Sequence, residues 1–147
     1  MSLTPKYLWF FLPIATLIYA SLYAPYGLEH HDNGFMLGLS HQLYHGQSLY
    51  EEVVYIRPPL SPWLHSFVFW PPFNTAPILI SRIFMLFQVA TYSWLSALII
   101  GDTFKLKSTQ TLFMAVIGFM FCAHNHPVMA WHTTDGLFFS VLALYVF

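Results

Sequence analysis

HHDNGFMLGLSHQLYHGQSLYEEVVYIRPPLSP, His30 to Pro62, is a polar island between two apolar stretches. With Glu29 just before it, the island gathers Asp32, Glu51, Glu52 and Arg57, in a chain where only 7% of residues are charged. Aromatic residues and prolines punctuate it, and the flanking sequence has the composition of lipid-facing helix. A polar, aromatic loop held between membrane spans is a place where chemistry gathers.

Working outward, the composition sets the class. The 147 residues are 57% hydrophobic and 20% aromatic, with a mean hydropathy of +0.58. Soluble domains carry about 25% charged residues, so this chain has too few charges to solvate a globular surface. The prediction is an all-α integral membrane protein. It has about four transmembrane helices, with short interfacial helices in the first outer loop. Residues 1–147 read as a single membrane domain, and residues 24–75 as that outer loop. The formal charge of -1 and the lack of a basic patch exclude nucleic acid as a partner. Cys122 cannot form an internal disulfide and lies in an apolar run, so it reads as a buried structural thiol.

The elements follow from apolar length and breakers. Tyr7 to Tyr23 is uncharged and reads as a first span kinked at Pro13; a signal peptide is the rival, but no small-residue cleavage site follows. Asn33 to His45 reads as a short interfacial helix, with Asp32 as N-cap and Gly46 at C′. Phe35, Met36, Leu39, Leu43 and Tyr44 give it one apolar face. Gln47 to Arg57 is expected to be extended, and Pro58-Pro59 starts a second interfacial helix, Leu60 to Trp70. Ala76 to Ile100 and Thr111 to Ala123 are spans, joined by a polar connection from Gly101 to Gln110. His124 to Asp135 is a second polar loop, and Gly136 begins a fourth span. Lys6, Lys105 and Lys107 then share one side, which the positive-inside rule places in the cytoplasm. Both polar loops face outward.

Several residues carry candidate chemistry. Asp32 suits a general base or a cation ligand, against the plainer role of N-cap. Asp135 follows two threonines and precedes an apolar helix, so it too suits an N-cap. If the two loops meet, Asp32 and Asp135 share a substrate or a cation. Arg57 offers a forked donor that matches phosphate; the plainer reading pairs it with Glu51 or Glu52. Arg82 sits near the first end of a span, where it snorkels or points into the protein. His41 and His45 share a helix face, while His124, His126 and His132 fall in the second loop. No HExxH or Cys/His finger spacing accompanies them, so no metal ligand is assigned.

The order of these pieces resembles the amino-terminal part of the GT-C superfamily of membrane glycosyltransferases. The likeness is to the bacterial branch with protein mannosyltransferase-like and aminoarabinose transferase-like enzymes. An acid, Asp32 in HHDNGF, precedes an aromatic helix from Phe35 to His45. Gly46 to Tyr50 and Pro58-Pro59-Leu60 follow, then ISRIFML with Arg82 and WHTTDGLFFSVLALY with His132 and Asp135. The resemblance implies a lipid-linked sugar donor on a polyprenyl phosphate, and a glycan, lipid or protein acceptor, at the outer face of a bacterial cytoplasmic (inner) membrane. It implies Asp32 as the catalytic base and Asp135 as a matching acidic position. Arg57, Arg82 and His132 are the candidate substrate-binding side chains beside Asp135, the arginines by their fit to the carrier phosphate. No cofactor is implied with certainty; a divalent cation is compatible. Asn33 departs from the second acid many relatives carry there, which removes a carboxylate pair at that point. Such enzymes run to several hundred residues, so the chain is expected to be an amino-terminal portion. The alternative is a non-catalytic membrane module or a transporter-like fragment; the spans carry little polarity beyond Arg82 and Gln88.

Overall fold

The computed structural model describes residues 9–27, 32–126 and 128–147, the side chain of Asp32 excepted. The chain is all-α. In order, α1 is Phe11–Tyr23, α2 Asp32–Tyr44 and α3 Leu60–His65, which continues as a 3-10 turn at Ser66–Phe69. A second 3-10 turn at Phe73–Thr75 leads into α4 (Pro77–Phe104), α5 (Ser108–Asn125) and α6 (His132–Val146). Among the described residues there is no strand beyond one isolated bridge, Leu49 to Val53.

Everything is built on α4. Pro77 sits at its start, where a missing N–H costs nothing. No proline and no glycine interrupts the next 23 residues up to Gly101. The helix stops at Lys105, which takes a left-handed conformation (φ 53°) and returns its N–H to the Gly101 carbonyl. At 28 residues it is about 42 Å long. Among the described residues it is the one helix long and apolar enough to cross a membrane; α1 is apolar but shorter.

The sequence reading ended this span at Ile100 and opened a polar connection at Gly101. The helix instead runs to Phe104. Gly101 is there for close approach, because a Cβ at this position would lie 2.6 Å from Thr111 Oγ1 of α5. Farther along, a Cβ at Gly118 would meet Ser93 at 3.7 Å, so α5 runs antiparallel to α4. On another face α1 is also antiparallel. Trp9 meets Trp94 edge-on at 4.4 Å between ring centroids, and the far end of α1 is held by Arg82. The Arg82 guanidinium donates from Nη1 to the Ala24 and Tyr26 carbonyls, at 2.8 and 3.2 Å, and from Nη2 to the Gly27 carbonyl. These are carbonyls that a helix end leaves open, at the negative pole of its dipole.

Two apolar clusters result. The larger joins α1, α4, α5 and α6 around Leu86, Val89, Trp94, Ala115 and Phe119. The smaller joins α2, the 3-10 turn and the approach to α6 through Met36, Leu37, Val68 and Ala130. The face of α2 differs from the one expected. Met36 and Leu39 are buried, but so are Asn33, Leu37 and Ser40, while Phe35 and Tyr44 are exposed. Helix α2 packs on α3 and the turn after it, and Ser40 is tolerated there because its hydroxyl donates to the Met36 carbonyl at 2.9 Å. The expected second helix, Leu60 to Trp70, is split into α3 and the 3-10 turn. Lys6, Tyr7, Glu29 and the capping role of Asp32 fall outside the described atoms.

Arg82 is therefore a clamp on α1. Arg82→Gln is expected to cost about 1–3 kcal/mol by leaving buried carbonyls unmet. Arg82→Lys should retain part of that, as one donor group in place of a fork. Thermal unfolding in detergent, with proteolysis after α1 as a second readout, checks both.

Candidate functional site

At the junction of the two clusters lies a group of polar side chains drawn from four segments. Asp135, expected as an N-cap, is instead inside the first turn of α6, which starts at His132; its N–H bonds to the Trp131 carbonyl at 3.1 Å. That one-turn shift points the carboxylate inward, and Asp135 is 2% exposed. Its Oδ1 accepts a hydrogen bond from Gln88 Nε2 of α4 at 2.7 Å. His65 Nε2, at the end of α3, lies 3.2 Å from the same oxygen and donates to it as the Nε2–H tautomer. Gln88 and His65 are both fully buried. The second oxygen, Oδ2, has no hydrogen bond, and neither do the buried Tyr55 and Thr134 hydroxyls. A buried carboxylate with one satisfied and one open oxygen is costly to hold and leaves an acceptor ready for a donor. Its place in the first turn of a helix offsets part of that cost.

Next to this group the extended segment after α2 returns to the surface. Val54, Tyr55, Ile56 and Arg57 line a cavity of about 230 Å³, with Phe35 of α2 and Trp131 on the other walls. This is below the roughly 300–1,000 Å³ of drug-sized pockets, and on the scale of one small polar ring. The Arg57 guanidinium carbon lies 5.5 Å over the Trp131 ring. Its Nη1 is 2.8 Å from His132 Nδ1 and 2.9 Å from Nε2, close enough to donate to the imidazole. The Tyr50 hydroxyl donates to the Arg57 carbonyl at 2.6 Å and fixes the backbone there. Arg57 thus pairs with an aromatic and an imidazole of the second loop, not with Glu51 or Glu52 as the plainer sequence reading had it. Glu52 instead accepts the Ser48 N–H at 2.7 Å.

Burial raises the Tyr55 phenol above its usual pKa, with Tyr50 and Asp135 adding to the rise and the Arg57 charge opposing it. Tyr55 is consequently a neutral hydroxyl throughout the physiological range, able to donate as well as accept.

The sequence candidates separate into three. Arg57, His132 and Asp135 gather at this junction. Arg82 does not join them; its guanidinium is bonded to the end of α1. Asp32 opens α2, and its side chain lies outside the described atoms. His65, Gln88 and Tyr55 were not assigned to a site from the sequence. Gln88 gave the one available signal, an amide in the middle of an apolar helix. The second-loop histidines also separate, since His124 Nδ1 lies 2.9 Å from its own helix's Met120 carbonyl. Among the described residues no group of three or more His, Cys, Asp or Glu side chains is placed to hold a metal ion.

The Gln88–Asp135 bond is expected to tie α6 to α4. Gln88→Leu and Asp135→Asn should each destabilise by about 1–3 kcal/mol. The double variant Gln88→Leu/Asp135→Asn should cost less than the sum of its single variants, because the bond between the two residues is lost only once. Urea or thermal unfolding of the four proteins of that cycle measures the coupling. Comparison with protein-family models, with curated proteins and with solved structures returns no match.

Proposed function

We propose that the chain acts as a GT-C-type membrane glycosyltransferase, or as the amino-terminal portion of one. In this reading it moves a sugar from a polyprenyl-phosphate carrier to a glycan, lipid or protein acceptor. It lies in the bacterial cytoplasmic membrane as a multi-pass protein with its polar loops outward. The observation that carries the reading is the convergence of Phe35, Tyr55, Arg57 and Trp131 on one small cavity.

The surface supports the membrane part. Phe10, Ile14, Leu17 and Leu22 of the first helical segment, Phe113, Ile117 and Phe121 of α5, and Leu144 of α6 are exposed. A water-facing helix turns such stripes inward. Polar side chains point the other way, into the bundle, as expected with lipid outside. Lys105 and Lys107 lie at the end of α4 opposite Arg82 and the cavity, which agrees with cations on the cytoplasmic side.

The chemistry follows from the residues. An acceptor hydroxyl loses its proton to the Asp32 carboxylate as its oxygen bonds to the anomeric carbon. The bond from that carbon to the phosphate oxygen breaks, and the polyprenyl phosphate leaves carrying the electron pair. Arg57 stabilises the charge on that phosphate, held at a productive angle by Trp131 and His132. Aromatic walls suit the apolar face of a sugar ring, and the Arg57 guanidinium at the same cavity suits its phosphate. A carrier whose tail stays in lipid needs its headgroup site at the membrane face.

One observation favours the non-catalytic alternative. A groove of about 460 Å³ between α4 and α5 is floored by Ser93, Ser96, Ala97 and Gly118, and small residues are what packed transmembrane helices place at their contacts.

The test uses membranes containing the chain and a polyprenyl-phosphate-linked sugar, following release of the free carrier. Asp32→Asn should reduce release by about 10²-fold or more, and Arg57→Gln by a comparable factor, with both variants accumulating normally. Undiminished release in Asp32→Asn would remove it as the base. No release from the unsubstituted chain would favour the membrane-module reading.

A further inference from the structure

Away from the cavity, on the exposed side of α2, His41 and His45 face each other with their Nε2 atoms 3.1 Å apart. We propose that this pair is a chelate for one divalent transition-metal ion, with nitrogen-preferring ions such as Cu²⁺ or Zn²⁺ as the ligand class.

The distance is the first argument. Metal–imidazole bonds of about 2.0–2.1 Å, at angles between square and tetrahedral, set the two nitrogens roughly 2.8–3.4 Å apart. The pair already stands at that bite. Its i, i+4 spacing puts both rings on one face, one turn apart. The second argument is that the rings are held. His41 packs edge-on to Phe69 at 5.0 Å, and His45 to Tyr44 at 5.2 Å. Phe69 also flanks Tyr44, so an aromatic wall behind the histidines restricts their rotamers. Third, both side chains are exposed, so an ion reaches them from solvent and water completes its coordination.

Without metal, one Nε2 holds the hydrogen and the other accepts it. Binding requires both Nε2 atoms bare, so the donating ring shifts its proton to Nδ1. Acid opposes binding, since protonated imidazoles cannot ligate and repel each other. Two neutral nitrogens attract Cu²⁺ above Zn²⁺ and discriminate against Mg²⁺ and Ca²⁺, which prefer oxygen. The bound ion would staple the last turn of α2, directly before Gly46 and the segment that leads to Arg57.

The experiment is a titration of the purified, chelator-treated full chain in detergent with Cu²⁺, and separately with Zn²⁺, against a chromophoric competitor. The expected result is one saturable ion per chain. Affinity should fall at least tenfold in His41→Ala and in His45→Ala and remain unchanged in His124→Ala. The electron paramagnetic resonance spectrum of the Cu²⁺ form should show two equatorial nitrogens, reduced to one in each variant. Binding that is equal in all variants, non-saturable, or displaced by Mg²⁺ overturns the proposal. Circular dichroism of the variants separates a lost ligand from a lost helix: a helix signal that falls together with affinity in both variants overturns the reading of the spectra as ligand loss.

Discussion

A single carboxylate holds together parts of the chain that are far apart in sequence. Asp135 Oδ1 takes hydrogen bonds from Gln88, 47 positions away, and from His65, 70 positions away. It sits where the helical bundle meets the smaller layer formed by α2, α3 and the 3-10 turn. Apolar packing alone is non-directional and would let these two bodies slide. A buried acid with one bonded oxygen fixes their register, because any shift leaves a charge without partners. The open Oδ2 is the remainder of that arrangement.

The two outer arginines show how context divides one residue type between two tasks. Arg82 is buried and bonded to the carbonyls that close α1, so its charge is matched by the helix end. Arg57 is exposed, stacked over Trp131 and within hydrogen-bond distance of the His132 imidazole. A guanidinium held by aromatic and imidazole contacts keeps most of its charge for a ligand. That difference is why the proposed reading gives the carrier phosphate to Arg57 and not to Arg82, although both fitted the role by composition.

The glycosyl-transfer reading and the physical picture meet at α4. Its first turns meet the 3-10 turns and His65 of α3, while its length also packs against α1, α5 and α6. In the proposed reading, a site at this boundary would let a lipid carrier keep its chain in an apolar phase and present its headgroup to Arg57. The pair His41–His45 lies on the same layer but on its exposed side, so metal binding there would act on the α2 end and not on the cavity walls.

Composition and breakers alone determined the helical class, the start of α4, the bounds of α2 to within a residue or two, and the gathering of polar side chains in two loops. These are local properties: apolar runs, proline at helix starts and Gly46 after a helix are read from neighbours in the chain. Asp135, Arg57 and His132 were legible as candidates because polar residues are rare here. Tertiary structure alone decided the rest. Gly101 looked like a stop, yet it is helical because Thr111 approaches it. Asp135 looked like a cap, yet α6 begins a turn earlier and aims it inward at Gln88 and His65. Arg82 looked like a phosphate ligand until the end of α1 was found beside it. In each case the deciding partner lies on another helix, and neither period nor propensity encodes which helix that will be.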